Sequence, residues 1–241
     1  MLKIDLHTHC NEDPRDKFIR HSAKELIDHA ANLHFNVLSI TCHNKVVYSE
    51  GLQEYANQKN ILLIPGAEKD IENRHVLLYN FKQEEIDQIN SFEDLRNIKK
   101  SHHFVIAPHP FYVQLNPLDP RQISLFSRLE TNIDLFDGIE FCHLYTKSLK
   151  GPNEKATRIA NKYHLPLIAG SDLHHIKHMD SNFSFVDAKK NIKSIFNAIK
   201  NNKIEISSRP RQPLELTNML AFFTTGSLKT KVFNNLKPSL N

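Results

Sequence analysis

Short apolar and β-branched runs alternate along the chain with stretches that carry helical hydrophobic spacing. The short runs predict nine strands, at residues 2–6, 37–41, 61–65, 76–81, 104–107, 138–141, 165–169, 183–186 and 204–207. Apolar positions three and four apart predict helices at residues 25–33, 154–163 and 191–200. A capping box formed by Ser22 and Glu25 marks the start of the first helix. This alternation is typical of repeated β-α units around a largely parallel sheet, which indicates the α/β class.

The pattern continues without a Gly/Ser-rich linker or an internal repeat through residues 1–208, so we predict one domain there. It weakens after the Pro- and Arg-rich residues 209–213. We therefore interpret residues 209–241 as a C-terminal appendage that packs on the domain or trails from it. Residues 214–223 are expected to form a short helix within that appendage.

Metal-binding side chains recur at the ends of the predicted strands. Asp5, His7 and His9 are two residues apart, so on an extended strand they project from one face. The other candidates follow separate apolar runs, namely His43, Glu68, His109, Asp172 and His174. In β/α barrels the carboxyl ends of the strands meet at a common mouth, which predicts that these side chains converge. His75 precedes its predicted strand and is expected on a loop that folds over this mouth.

Composition narrows the class of protein. The chain has 241 residues, of which 40% are hydrophobic, enough for a substantial core. Its apolar runs are shorter than the ~20 residues of a membrane span, and no signal-like segment opens it, so we expect a cytoplasmic protein without a membrane partner. A net charge of +4 suits a small anionic substrate and makes nucleic acid an unlikely partner, except as a small nucleotide substrate.

The three cysteines, Cys10, Cys42 and Cys142, form an odd set without CxxC spacing, which argues against a disulfide framework and against a cysteine zinc site. Histidine nitrogen combined with carboxylate oxygen suits zinc, manganese or iron in a catalytic site. The candidates are too many for one ion, so we predict two or three divalent ions, with Glu68 as a bridging ligand. Clustered ions activate water and clamp the oxygens of a phosphoryl group, which predicts a hydrolase.

In their order along the chain, residues 5–9, 40–44, 65–68, 75–77, 107–110 and 170–174 resemble the successive motifs of the PHP (polymerase and histidinol phosphatase) family. The resemblance implies a distorted (β/α)7-type barrel that holds two or three divalent metals and hydrolyses phosphate esters. By position it implies the ligands His7, His9, His43, Glu68, His75, His109, Asp172 and His174. Asp5 is expected to orient a ligand histidine. Cys42 replaces the aspartate usual in the second motif, which should remove a hydrogen bond but not a metal.

Several positions stay open at this level. Many family members place an acid or a histidine after the first motif, and both Asp13 and Asp16 qualify. His143 could be a ligand, a substrate contact or a plain loop histidine. Loops at residues 112–121 and 146–152 are expected to form pocket walls. Basic side chains that could contact substrate are Arg15, Arg20, Lys147 and Lys150.

The leading hypothesis is a metal-dependent phosphoesterase that attacks a small phosphorylated metabolite or nucleotide with a metal-bridging hydroxide. Glu68 would hold the metals, and Asp172 or His174 would shuttle the proton. One alternative is an amidohydrolase-type C–N hydrolase, which a lysine at a central strand end would favour. A second is a non-enzymatic metal-binding module, against which the nearly complete ligand set argues.

Overall fold

The computed structural model describes residues 1–112 and 124–235, which form ten strands and eight α-helices. The strands are β1 (Leu2–Thr8), β2 (Val37–Ile40), β3 (Leu62–Leu63), β4 (Gly66–Ile71), β5 (Arg74–Tyr79), β6 (Phe104–Ala107), β7 (Gly138–Phe141), β8 (Leu167–Ala169), β9 (Asn182–Val186) and β10 (Ile204–Ser208). The helices are α1 (Ala23–Asn32), α2 (Glu50–Gln58), α3 (Gln83–Gln88), α4 (Phe92–Ile98), α5 (Phe126–Leu129), α6 (Gly151–Tyr163), α7 (Ile192–Lys200) and α8 (Pro213–Asn235).

The strands belong to two five-stranded sheets, with the orders β10-β9-β1-β2-β3 and β4-β5-β6-β7-β8. Parallel pairing joins β1 to β2 to β3 and β6 to β7 to β8, whereas β9, β10, β4 and β5 pair antiparallel with their neighbours. The α/β class is therefore correct. The prediction of a largely parallel sheet is wrong, because half of the strand pairs are antiparallel. The described strands also do not close into the single barrel that the family resemblance implied.

All nine predicted strands are present, β6 and β7 with the predicted ends and the other seven with shifted ends. The strand that the pattern missed is β4, because its sequence includes Glu68, Lys69 and Asp70 and has no apolar run. It pairs with β5 across a tight hairpin. Glu72 and Asn73 form the turn with φ values of 49° and 62°, the left-handed conformation that a two-residue hairpin requires.

The predicted helices are confirmed as α1, α6 and α7. Ser22 and Glu25 form the predicted capping box at the start of α1. The two sheets and these helices enclose buried clusters rich in Ile, Leu, Val and Phe. None of the helices in the described residues combines the length and apolar character needed to cross a bilayer.

The C-terminal helix α8 extends from Pro213 to Asn235, well beyond the short helix predicted at residues 214–223. It lies against the loop after β1. A Cβ atom built on Gly226 would lie 2.5 Å from the Phe18 ring, so only glycine fits at this contact without a shift. Phe222 packs edge-on against Phe18 with ring centroids 5.2 Å apart. Phe18 in turn lies next to His174, with centroids 6.2 Å apart, so α8 packs close to the predicted site.

Candidate metal site

The candidate ligands converge where the two sheets meet. They are His7 in β1, His9 after it, His43 after β2, Glu68 in β4, His75 in β5, His109 after β6, and Asp172 and His174 after β8. Two isolated β-bridges, Thr8 to Leu173 and His43 to Glu68, join the sheets at this point. Motifs that are distant in sequence thus contribute to one largely buried cluster.

The position of His75 differs from the prediction. It is the second residue of β5 rather than part of a loop over the mouth. Because β5 runs antiparallel to β4 and β6, its first residues lie at the edge where its neighbours deliver their ligands. Its Nδ1 atom is 2.6 Å from Glu68 Oε1.

Four side chains form the most regular group, in which two histidine nitrogens each face two carboxylate oxygens. The Nε2 atom of His7 lies 3.5 Å from Glu68 Oε2 and 3.4 Å from Asp172 Oδ1, and that of His9 lies 3.4 Å from both. Neither Nε2 atom has a hydrogen-bond partner among the described residues. Bonds of about 2.0–2.2 Å to a tetrahedral ion would separate ligand atoms by about 3.3–3.6 Å. The spacing therefore fits one tetrahedral ion.

Glu68 belongs to a second group as well. Its Oε1 atom is also 3.2 Å from Nε2 of His109, and its Oε2 atom is 3.3 Å from Nε2 of His43. The ligand atoms of His43, Glu68 and His75 all lie within 4.8 Å of one another. One carboxylate, 1% exposed, is thus shared by two groups that could each hold an ion.

Asp13 organises two of these histidines. Its Oδ2 atom accepts hydrogen bonds from Nδ1 of His9 and of His43, both at 2.9 Å, and from the His43 backbone N–H at 2.8 Å. Both rings therefore carry hydrogen on Nδ1 and direct Nε2 at Glu68. Asp16 lies near Asp13, with Oδ2 3.7 Å from His43 Nδ1 and 2.9 Å from His174 Nε2. The ligand atoms of Asp13, Asp16 and His43 form a third possible group.

Asp5 acts on backbone rather than on a histidine ring. Its Oδ1 atom accepts hydrogen bonds from the N–H groups of His7 and Ser171, at 3.2 and 3.1 Å. These bonds tie β1 to the loop after β8, which carries Asp172 and His174. Complete burial raises the pKa of Asp5 to about 6, in spite of these hydrogen bonds.

The charges of the site depend on one another. Burial opposes ionisation of Glu68, but the charges of His75, His7 and His43 hold its pKa well below the ordinary value. Burial likewise disfavours a charged His75, but the charge of Glu68 and a hydrogen bond that His75 donates to Asp70 outweigh it and raise the pKa of His75 to about 9. Carboxylates packed among histidines in this way stay ionised and ready to bind cations.

Two candidate ligands occupy strained backbone. His109 and Asp172 have φ values of 28° and 46°, in or near the left-handed region that side chains rarely adopt. Such conformations cost about 1–3 kcal/mol each and cluster at functional sites, where surrounding contacts hold them. The hydrogen bond from the His109 N–H to Glu140 Oε2, at 2.8 Å, is one such contact.

The cysteine in the second motif points into the core. Cys42 and Cys10 are completely buried among apolar side chains, with their sulfur atoms 3.7 Å apart. Asp13, in the loop after β1, already supplies a carboxylate to His43, so this histidine has the partner that an aspartate at position 42 was expected to provide. Cys42 also lies within reach of His9 and Asp13. The contact with the neighbouring Cys10 thiol, together with burial, raises the pKa of Cys42, which disfavours the thiolate form that metals bind.

His143 is buried beside the cluster but outside its groups. Its Nδ1 atom is 3.9 Å from Asp172 Oδ2, and its Nε2 atom has no hydrogen-bond partner among the described residues. Burial lowers the pKa of His143 to about 3, so the ring is neutral near pH 7.

Of the four predicted basic contacts, Arg15 reaches the site. Its Nη1 atom lies 2.8 Å from His75 Nε2 and 3.3 Å from Asp70 Oδ1, and its side chain is 21% exposed. Arg20, Lys147 and Lys150 are exposed on the surface, and Lys150 pairs with Glu154. The predicted wall at residues 146–152 is described, whereas residues 113–121 of the other predicted wall lie outside the described residues.

Sequence reasoning missed two carboxylates of the site, Glu140 and Asp70. Glu140 lies in β7 with 2% of its surface exposed, and its Oε1 atom is 2.8 Å from His7 Nδ1. Asp70 lies in β4 and contacts His75 and Arg15. The available signal for Glu140 was a carboxylate inside the predicted strand at residues 138–141, since a charge in a buried strand needs a partner.

Comparisons with known proteins point to the same family. Residues 150–204, from α6 to the first residue of β10, match the family model PHP_C, described as PHP-associated. No curated protein matches the chain. A two-domain protein from Bacteroides vulgatus, described as containing a predicted PHP-like metal-dependent phosphoesterase, superposes with a TM-score of 0.65 at 21% identity, over 92% of this chain and 69% of that one. The resemblance to the PHP family is confirmed.

Two further solved structures share this PHP-like fold. A candidate metal-dependent phosphoesterase from Bifidobacterium adolescentis has a TM-score of 0.57 at 13% identity, over 91% of this chain and 96% of that one. An amidohydrolase from Chromobacterium violaceum, with bound sulfate and no metal, has a TM-score of 0.52 at 15% identity, over 71% of this chain and 87% of that one. At these identities the likeness concerns the fold.

Proposed function

We propose that this PHP-like protein is a metal-dependent phosphoesterase that hydrolyses a small phosphate ester. The observation that carries the proposal is the group of His7, His9, Glu68 and Asp172, whose four N···O distances of 3.4–3.5 Å match the spacing of tetrahedral ligands. The structural neighbours described as phosphoesterases support the choice of reaction.

The remaining ligands extend the proposal to two or three ions of zinc, manganese or iron. Glu68 would be shared between the first group and a second one with His43, His75 and His109, while Asp16 and His174 would contribute to a third site. When bound, the ions would supply Lewis-acid activation of water and neutralise charge on the phosphoryl oxygens. A phosphate ester matches this concentration of positive charge better than a neutral amide does.

The chain itself contributes orientation, charge and proton transfer. Asp13 fixes the rings of His9 and His43, as its hydrogen bonds show. His174 Nδ1 lies 3.5 Å from Asp172 Oδ1, and this pair at the edge of the cluster is our candidate for moving the proton. Arg15, half-buried at the rim, would contact an anionic part of the substrate.

A C–N hydrolase is the second candidate, because the amidohydrolase from Chromobacterium violaceum shares the fold. Such a site would be favoured by a lysine among the ligands. Lys69 is buried in β4 next to Glu68. Successive strand residues point to opposite faces, so Lys69 projects away from the cluster that Glu68 enters. This placement favours the phosphoesterase.

The test compares two substrate classes with one enzyme sample. The full chain is stripped with chelator, reloaded separately with zinc, manganese or iron, and assayed on phosphate monoesters, phosphate diesters, amides and lactones. We expect release of alcohol or phosphate from at least one ester, and loss of the activity on chelation. A metal-loaded protein that is inert on all phosphate esters but cleaves amides or lactones would refute the proposal.

A further inference from the structure

Glu140 contacts two candidate ligands that belong to other strands. From β7, its Oε1 atom accepts a hydrogen bond from Nδ1 of His7, and its Oε2 atom accepts one from the backbone N–H of His109, both at 2.8 Å. Glu140 is 2% exposed, and the adjoining Gly170 leaves room for it. A Cβ atom on Gly170 would lie 3.0 Å from Glu140 Oε1 and 2.8 Å from His7 Cβ.

These two hydrogen bonds determine what the histidines present to the site. A carboxylate only accepts, so the His7 ring must carry hydrogen on Nδ1, which leaves Nε2, directed at Glu68 and Asp172, as the nitrogen that could bind a metal. The bond to the His109 N–H holds a backbone with φ of 28°, from which the His109 ring reaches Glu68 at 3.2 Å. Glu140 therefore touches the first and the second ligand group at the same time.

We propose that Glu140 is a positioning residue that sets the tautomer of His7 and the backbone of His109, and thereby the metal affinity of both groups. This inference rests on the metal-dependent function proposed above. Both carboxylate oxygens are used as acceptors, so glutamine can replace only one of them, since its amide nitrogen donates. Leucine, of similar size, replaces neither.

The experiment measures zinc affinity of the full chain by competition with a chromophoric chelator. Loss of an outer hydrogen-bond partner of a metal ligand typically costs 10- to 100-fold in affinity. We expect Glu140→Gln to bind zinc about 10-fold more weakly than the wild type and Glu140→Leu about 100-fold more weakly. Equal affinity in the wild type and both variants would overturn the proposal.

Glu85→Gln is the matched control, because Glu85 also accepts from a side chain, Lys100 Nζ at 2.8 Å, and a backbone N–H, that of Lys82 at 3.0 Å. It lies at the start of α3, outside the ligand groups. Its zinc affinity should equal that of the wild type. A comparable loss in Glu85→Gln would show that the Glu140 effect is general destabilisation and would overturn the specific role.

Circular dichroism of the metal-free variants checks their folding. If Glu140→Leu does not fold, nitrogen-15 NMR of histidine in the zinc-loaded wild type decides, with the His7 signals assigned by their loss in His7→Gln. Hydrogen on Nδ1 of His7 is expected, and hydrogen on Nε2 would overturn the proposal. A wild type that binds zinc but cleaves no ester would refute the proposed activity while leaving the affinity test of Glu140 intact.

Discussion

Replacing Glu68 with glutamine tests the centre of the site. The change keeps the size and shape of the side chain but removes its charge and one acceptor oxygen. In the wild type, five histidine nitrogens lie within 3.5 Å of this carboxylate, from His7, His9, His43, His75 and His109. Because the pKa of Glu68 is held well below its ordinary value, the group is ionised across the working pH range.

The size of the effect follows from the position of Glu68 in two ligand groups. Loss of an outer partner of a metal ligand costs about 10- to 100-fold in affinity, so loss of a shared ligand should exceed about 100-fold. In excess zinc, a 100-fold larger dissociation constant removes about 2.7 kcal/mol of the stability that zinc binding adds. For a domain of this size that lowers the melting temperature by roughly 5–11 °C.

The assay combines elemental analysis, thermal melts with and without zinc, and ester turnover. We expect at least two metal equivalents in the wild type and the loss of at least one in Glu68→Gln, with turnover reduced more than about 100-fold. Glu85→Gln, an identical chemical change outside the site, should retain its metal and activity. Full metal content and activity in Glu68→Gln would refute the bridging assignment.

Three further outcomes are expected. As the pH rises from about 4 to about 6, the metal-free wild type should lose stability relative to Asp5→Asn in urea unfolding. The reason is that the pKa of Asp5 is raised to about 6 in the folded protein, so folding favours the protonated acid. A stability difference that does not change with pH would contradict this. Cys42→Ala should cost about 1 kcal/mol without loss of zinc equivalents, as expected for a buried packing residue; a lost equivalent would make Cys42 a ligand. Gly226→Ala should lower stability by about 1–3 kcal/mol, because the new methyl group meets the Phe18 ring, and an unchanged melting temperature would contradict that close contact.

The convergence of the site could be predicted because it follows from strand geometry. In Asp5, His7 and His9 the two-residue spacing directs three side chains to one face of β1 and of the residue that follows it. Asp172 and His174 follow β8 with the same spacing. A side chain placed just after an apolar strand lies at the edge of the sheet, so the sequence was enough to bring these residues together.

The direction of a strand was beyond the reach of the same reasoning. His75 was placed on a loop because it precedes its apolar run, but β5 is antiparallel and presents its beginning to the site. The partner strand β4 was missed because three consecutive charged residues, Glu68, Lys69 and Asp70, interrupt the hydrophobic pattern of a strand. Whether a strand pairs parallel or antiparallel depends on contacts between distant residues, which local hydrophobic patterns do not contain.

The residues that hydrogen-bond to the candidate ligands are even harder to predict than strand direction, because they come from distant parts of the sequence. The second motif has Cys42 where the family usually has aspartate, which predicted a missing hydrogen bond. In the structure, Asp13 bonds both the ring and the N–H of the adjacent His43 from a loop 30 residues earlier. Glu140 bonds the ring of His7 from a strand 133 residues away. A motif identifies the ligand type, but the carboxylate that orients it can come from any strand whose end reaches the site, so a departure at one motif position does not by itself indicate a lost site.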